Sequence, residues 1–270
     1  MLAGAGVAVV FAIAAAAIVT VVRGHGGSGR VVVDPGPNPV TLVPTAGAPA
    51  PSAHSDAAAL LVGRGWDALS ATERTSVVDA VTRAWSDADV RMDVGTGFPI
   101  DIHRRGGHTA ATVTYQAADL NFRQYLAITT AFFCPQADGQ VAVHRWGVAA
   151  DQVQYTTETL AADKRPWDYI LRDARWETAT DLGLRDIGGA RARGIKTAYP
   201  DPNTGELVVE ADHWLDVETG RLLEWDVRQG QASASYRFTW ARLPRPAVPE
   251  GQDADSCVRD LERQLTAAAP

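Results

Sequence analysis

The last third of the 270-residue chain consists of long strand-like segments separated by turns. Two of these turns, at residues 201–205 and 216–220, share the pattern Asp-x-x-Thr-Gly. In such a turn the Asp side chain accepts hydrogen bonds from the backbone, and Gly takes the positive φ that a hairpin with a one-residue bulge requires. The pattern therefore predicts an antiparallel meander with strands at residues 207–215, 221–228 and 232–241.

The region before the meander changes from a helical to a strand-like period. Ser70 and Glu73 have capping-box spacing, and the apolar positions up to Trp85 recur at helical intervals, which predicts a helix. From Phe98 to Thr157 apolar residues alternate, which predicts further strands, and a short helix is expected after Pro166. A closing helix is predicted at residues 256–268. Helices, a large antiparallel sheet and an inserted helix together indicate an α+β fold, because strands and helices do not alternate.

The chain is predicted to have three parts: a transmembrane anchor at residues 1–23, a Gly- and Pro-rich linker at 24–54, and an α+β domain at 55–270. Residues 2–22 carry no charge and are long enough to cross a bilayer as a helix. A cleaved signal peptide is the competing interpretation. It is disfavoured because no basic residue precedes the apolar run, and Thr-Val-Val-Arg at its end is a poor cleavage site.

Composition and motifs argue against several classes of function. The net charge of −7 disfavours nucleic-acid binding, which requires clustered positive charge. The sequence contains no nucleophile elbow, phosphate loop or His-Glu-x-x-His motif, so we expect no enzyme activity and no cofactor.

His103 and His108 flank a turn and are interpreted as a surface pair beside it. No metal site is predicted. Cys134 and Cys257 are compatible with one disulfide or with two buried thiols.

Tryptophans are concentrated in the predicted sheet and offer candidate ligand-binding residues: Trp225, Trp240 and Trp214. Because side chains in a strand alternate between faces, Trp214 shares a face with Asp212 and Asp216, whereas Trp225 shares one with Leu223 and Val227. Trp225 and Trp240 are therefore the better candidates for an apolar lining. The alternative is that all three are ordinary core residues.

One stretch of the meander resembles a known family. Gly194-Ile195-Lys196-Thr197 and the run His213-Trp214-Leu215-Asp216-Val217-Glu218-Thr219-Gly220, within residues 188–249, are similar to the LolA-like lipoprotein-carrier superfamily. The resemblance implies a curved antiparallel sheet forming an incomplete barrel, with helices on its concave side. It also implies a lipid or acylated ligand and an envelope protein as partners. The anchor, the linker and a C-terminal helix with Cys257 depart from this family and disfavour soluble shuttling between membranes.

The membrane orientation is predicted from opposing signals. Arg23, His25 and Arg30 follow the apolar segment, and the positive-inside rule alone would place the domain in the cytoplasm. The linker, the cysteine pair and the family resemblance favour the other side. We therefore expect a single-pass protein of the cell membrane whose extracytoplasmic domain binds a lipid or lipidated ligand, for transfer or for envelope sensing. The alternative is a ligand-free binding or assembly module of a cell-envelope complex.

Overall fold

The computed structural model describes residues 60–267, apart from residue 62 and residues 95–97, 106–107, 119–123, 150–151, 162–166 and 201–206. The predicted anchor and linker lie outside the described residues, as does the turn at 201–205. Among the described residues, no helix is both long enough and apolar enough to cross a membrane.

The described residues form eleven antiparallel strands and few helices, which confirms the predicted α+β class. They divide into two compact units. The described residues within Phe98–Trp167, together with 244–267, belong to the first unit, whereas 60–94 and those within Asp168–Leu243 belong to the second.

The described residues of the second unit contain six strands in the order β1-β11-β10-β9-β8-β7, together with helices and short 3₁₀ turns. Its last three strands are the predicted meander, and β7 and β8 are strands that periodicity did not predict. The bounds are α1 (Ala71–Ser86), β1 (Asp89–Val94), α2 (Tyr169–Arg172), β7 (Thr180–Ile187), β8 (Ala190–Pro200), β9 (Leu207–Asp216), β10 (Leu222–Gln229) and β11 (Ala232–Trp240), with 3₁₀ turns at Trp66–Ala68 and Trp176–Thr178.

Helix α1 begins where the sequence predicts. The Ser70 side chain accepts a hydrogen bond from the Glu73 backbone N–H, and the Glu73 carboxylate accepts one from the Ser70 backbone N–H. The two bonds satisfy backbone donors that a helix start otherwise leaves unpaired. The apolar face of α1 then buries Val77, Val81 and Trp85. A capping box and a helical stripe therefore orient α1 with Trp85 in the core.

The turn between β9 and β10 has the predicted chemistry. The Asp216 carboxylate accepts hydrogen bonds from the Glu218 backbone N–H at 2.9 Å and from the Thr219 hydroxyl at 2.7 Å. Gly220 has a φ of +68°, and its N–H donates to the Asp216 carbonyl at 2.8 Å. Asp216 thus fixes the turn through its side chain, while Gly220 takes a conformation that other residues resist.

We expect Gly220→Val to lower the free energy of unfolding by more than about 1 kcal/mol, because a β-branched side chain disfavours positive φ. Asp216→Ala should lower the free energy of unfolding by a smaller amount. Urea unfolding followed by tryptophan fluorescence measures both changes. Gly63→Val is the matched control, since a Cβ at Gly63 meets no atom within 4 Å and Gly63 has no positive φ. Equal unfolding midpoints for Gly220→Val and Gly63→Val would contradict the expected effect of the turn.

The described residues of the first unit contain five strands in the order β2-β3-β4-β5-β6 and the predicted closing helix. The helix packs Val258, Leu261 and Leu265 against a cluster on the sheet that includes Phe132 and Trp146. The bounds are β2 (Phe98–Arg105), β3 (His108–Ala118), β4 (Gln124–Pro135), β5 (Val141–Ala149), β6 (Gln152–Leu160) and α3 (Ser256–Ala267).

A disulfide joins the first turn of α3 to this sheet. Cys134 in β4 is bonded to Cys257, with Cα atoms 6.0 Å apart, and Cys257 packs against the core cluster to which Cys134 belongs. Two residues 123 positions apart in sequence are thus held together where α3 packs on the sheet. Nearby, β2 and β3 pair Arg105 with His108 across the predicted turn.

Candidate functional site

The second unit presents one sheet face rich in aromatic side chains. Trp225 in β10 pairs with Tyr236 in β11 on one side and with His213 in β9 on the other, so the three side chains project from the same face. Their rings are close: the centroids of Trp225 and Tyr236 are 5.0 Å apart, and those of Trp225 and His213 are 6.4 Å apart. We call this the helix-covered face.

Helix α2 packs on the helix-covered face through Tyr169 and Ile170. The ring of Tyr169 makes an edge contact with Trp225 at 5.9 Å between centroids. The Ile170 carbonyl accepts hydrogen bonds from the Tyr199 hydroxyl at 2.6 Å and from Nε2 of His213 at 2.9 Å. A helix of only four residues is therefore held to the sheet by one ring and two converging polar groups.

His213 is completely buried, and both of its ring nitrogens form hydrogen bonds. Because Nε2 donates to a carbonyl, Nδ1 carries no proton and accepts from the Thr197 hydroxyl at 3.3 Å. Burial lowers the pKa of His213 to about 4, although the Ile170 carbonyl and the carboxylate of Asp212 act in the opposite direction. His213 is therefore neutral at physiological pH.

The segment that forms α2 follows a residue with an unusual backbone. Trp167 has a φ of +62° and is the one described non-glycine residue with positive φ. Bulky residues rarely adopt this conformation, and such strain often occurs where a segment moves or binds a ligand. The chain therefore enters α2 through a strained position.

Trp240 lies on the same face as Phe238 in β11, because the two are separated by one residue in the strand. Both rings contact Trp85 of α1, with centroid distances of 5.5 Å for Phe238 and 6.0 Å for Trp240. The indole N–H of Trp240 donates to the Leu222 carbonyl at 2.7 Å. Trp240 is partly exposed, whereas Trp225 is buried.

Trp214 lies on the opposite face, which we call the charged face. The guanidinium of Arg185 stacks on its ring with 3.6 Å between the Arg Cζ and the ring centre, and Arg185 also pairs with Glu224. Gly194 leaves room for the indole, since a Cβ at that position would lie 2.7 Å from the ring. The sheet thus brings Trp225 and Trp240 to one side and Trp214 to the other. Ligand binding by the three tryptophans remains a prediction.

Sequence reasoning missed Tyr169, Tyr199 and the polar contacts of His213. The available signal was alternation along β9, which places His213 on the face opposite Trp214. Nothing in the sequence indicated that α2 would offer its Ile170 carbonyl to two side chains from different strands.

The histidines of the first unit differ from the predicted surface pair. His103 is buried, with 1% of its surface exposed, so that interpretation is wrong for His103. The reason is the antiparallel register, which pairs His103 with Ala110 in the core rather than with His108. Another group in this unit, Cys134, His144 and Asp255, places one potential metal-ligand atom from each residue within 4.8 Å of the others.

No protein-family model and no curated protein matches this chain. Among solved structures, it is similar to LprF from Mycobacterium bovis, with 11% identity, 67% of this chain and 99% of that chain covered, and a TM-score of 0.42. It is also similar to the Mycobacterium tuberculosis lipoprotein LppX, with 10% identity, coverage of 66% and 100%, and a TM-score of 0.39.

A third similar structure is a LolA superfamily protein from Nitrosomonas europaea, with 8% identity, coverage of 63% and 94%, and a TM-score of 0.25. The superfamily named there is the one that residues 188–249 resemble. With identities of 11% or less and TM-scores below 0.5, the three likenesses assign no function to this chain.

Proposed function

We propose that this chain is a membrane-anchored, extracytoplasmic domain that binds a lipid or a lipidated ligand on the helix-covered face of its second unit. One observation carries the proposal: the ring of Trp225 on this face packs against Tyr169 of α2, a four-residue helix. Such a short helix gains little stability of its own and depends on its contacts with the sheet. It can therefore exchange these contacts for those of a ligand.

Displacement of α2 uncovers both an apolar surface and hydrogen-bonding groups. Trp225 and Tyr236 offer their rings, while Tyr199 and His213 lose the Ile170 carbonyl as acceptor. Ligand sites commonly combine an apolar lining with a few converging polar groups. An acyl chain would gain roughly 0.8 kcal/mol per buried methylene, enough for micromolar affinity after ordering costs. Its polar head would accept the hydrogen bonds that α2 releases.

The remaining parts of the proposal rest on the sequence. The uncharged segment at residues 2–22 supports a membrane anchor, and the linker at 24–54 supports a domain held away from the bilayer. We propose transfer of the ligand or sensing of its presence, with an envelope protein as the partner. The lack of a catalytic motif in the sequence supports a binding protein rather than an enzyme.

A ligand-free assembly module is the second candidate, and a specific observation favours it. Trp225 is only 3% exposed, and its ring is surrounded by rings of the same chain, from Tyr169, Tyr199, His213 and Tyr236. The face is therefore filled by the protein's own side chains when α2 is in place. The two candidate functions differ in whether a ligand displaces α2 from the sheet.

Titration of a fluorescent fatty-acyl probe against the full-length chain distinguishes the two candidates. Lipid binding predicts saturable binding by wild type, and at least about tenfold weaker binding by Trp225→Ala, because the lining loses its largest ring. The variant Tyr169→Ala should bind the probe more tightly, since it lacks a contact that holds α2 against the sheet. Circular dichroism checks that each variant is folded.

Trp214→Ala is the matched control, because it removes the same side chain from the charged face. It should leave probe affinity unchanged. Absence of saturable binding by folded wild type, or an equal loss in Trp214→Ala and Trp225→Ala, would favour the ligand-free module.

A further inference from the structure

The disulfide of the first unit is surrounded by side chains that bind metals. Cys134 lies in β4 and His144 in β5, while Asp255 and Cys257 lie at the start of α3. One ligand atom each from Cys134, His144 and Asp255 lies within 4.8 Å of the others, and Cys257 is bonded to Cys134. Nδ1 of His108 adds a contact to the Cys257 sulfur at 3.5 Å. We call these five residues the disulfide cluster.

His144 is oriented as a metal-binding histidine would be. Its Nδ1 lies 2.9 Å from the Tyr155 hydroxyl, and its Nε2 lies 3.0 Å from Oδ2 of Asp255. Nε2 is buried and has no hydrogen bond of acceptable geometry among the described residues, despite its distance from Asp255. Metal-ligating histidines typically direct one nitrogen at the ion while a neighbour holds the other. Tyr155 is placed to hold Nδ1.

Asp255 uses one carboxylate oxygen in a hydrogen bond and directs the other oxygen towards His144. Oδ1 accepts from the Val258 backbone N–H at 3.2 Å and thereby caps α3, whereas Oδ2 points to His144. The side chain of Asp255 is 48% exposed, and Cys257 is partly exposed. An ion could therefore enter the cluster from the Asp255 side, while Cys134 lies at its buried end.

The distances between these ligand atoms suit a tetrahedral ion once the S–S bond is broken. Zinc binds thiolates at about 2.3 Å and imidazole or carboxylate at about 2.0–2.2 Å, which places neighbouring ligands roughly 3–4 Å apart. The observed spacing of up to 4.8 Å requires only small side-chain movements. Two bonded sulfurs are poor ligands, whereas two thiolates are among the preferred ligands of zinc.

We propose that reduction converts the disulfide cluster into a Zn²⁺ site whose ligands are Cys134, Cys257, His144 and Asp255. A dithiol reductant supplies the two electrons. Its first thiolate attacks the partly exposed Cys257 sulfur, the S–S bond breaks, and Cys134 leaves as a thiolate. The second thiolate of the reductant then attacks the mixed disulfide and releases Cys257, so the reductant becomes the disulfide and the protein holds two thiolates. His108 remains beside Cys257 as a neighbouring polar group. This inference does not depend on lipid binding.

Titration of the full-length, tag-free chain with Co²⁺, a spectroscopic substitute for Zn²⁺, tests the proposal. After reduction and removal of the reductant under anaerobic conditions, one Co²⁺ should bind per chain. Its spectrum should show tetrahedral d–d bands and thiolate charge-transfer bands, and Zn²⁺ should displace it. The oxidised chain should show neither set of bands. His144→Ala and Asp255→Ala should each weaken Co²⁺ binding by at least about tenfold, because each removes a ligand.

Asp253→Ala is the matched control, since Asp253 is also exposed and lies two residues from Asp255. It should bind Co²⁺ as wild type does. If the reduced chain unfolds, recovery of its far-ultraviolet circular dichroism on addition of Zn²⁺ supports the site, and failure to recover overturns it. Equal Co²⁺ affinity in wild type, His144→Ala and Asp255→Ala would also overturn it, since binding would then come from the thiols alone.

Discussion

Replacing both Cys134 and Cys257 with Ala should lower the free energy of unfolding by about 5 kcal/mol. The bond joins residues 123 positions apart, and a cross-link that closes a loop of about 100 residues removes roughly 4.7 kcal/mol of chain entropy from the unfolded state. Urea unfolding of the two proteins, followed by tryptophan fluorescence, measures the difference. The α3 contacts with Phe132 and Trp146 should be lost in the same transition.

The single variant Cys257→Ala separates the covalent link from other effects of the double substitution. It should lose nearly as much stability as the double variant, because either change removes the bond. Reduction of wild type in the absence of metal should produce a similar loss. A loss below about 1 kcal/mol in all three cases would show that the packing of α3 holds this region without the bond.

Lowering the pH from 7 to 4 should reduce the free energy of unfolding by about 3 kcal/mol through His213 alone. The pKa of His213 is about 4 in the folded chain, and a histidine in the unfolded chain titrates near its ordinary value of 6.5. The unfolded state therefore binds the proton first as the pH falls. This contribution to stability is nearly complete above about pH 6.5, declines between about 6.5 and 4, and levels off as the pH falls below 4.

The variant His213→Gln isolates this contribution, because glutamine can donate a hydrogen bond to the Ile170 carbonyl without titrating. Urea unfolding midpoints measured at several pH values should fall less steeply for the variant than for wild type between pH 6.5 and 4. Carboxylates titrate in both proteins, so the difference between the two profiles reports on His213. Parallel profiles would show that the histidine is not buried in neutral form.

Local structure was largely predictable because it depends on neighbours in sequence. The capping box at Ser70 and Glu73 fixed the start of α1, and the turn at Asp216 and Gly220 fixed the hairpin between β9 and β10. Strand β7 was not predicted because it is mostly polar and because its residues Leu182 and Leu184 are exposed. A strand that buries little apolar surface gives a weak periodic signal.

Alternation along a strand predicted only which residues of its own strand share a face with Trp214 or with Trp225. It could not determine what covers each face. That depends on α2, which brings the Ile170 carbonyl to His213 and Tyr199 from 43 and 29 residues away along the chain. Packing between distant segments leaves no periodic trace in the sequence.

The sequence by itself determined the α+β class, the turn chemistry and the start of α1, because these follow from neighbouring residues and from the periods of helices and strands. The tertiary structure alone decided that Cys134 meets Cys257, that His144 and Asp255 lie beside them, and that His213 is buried in neutral form. These depend on the packing of helices against the sheet, which is set by the fit of the whole chain rather than by any one segment.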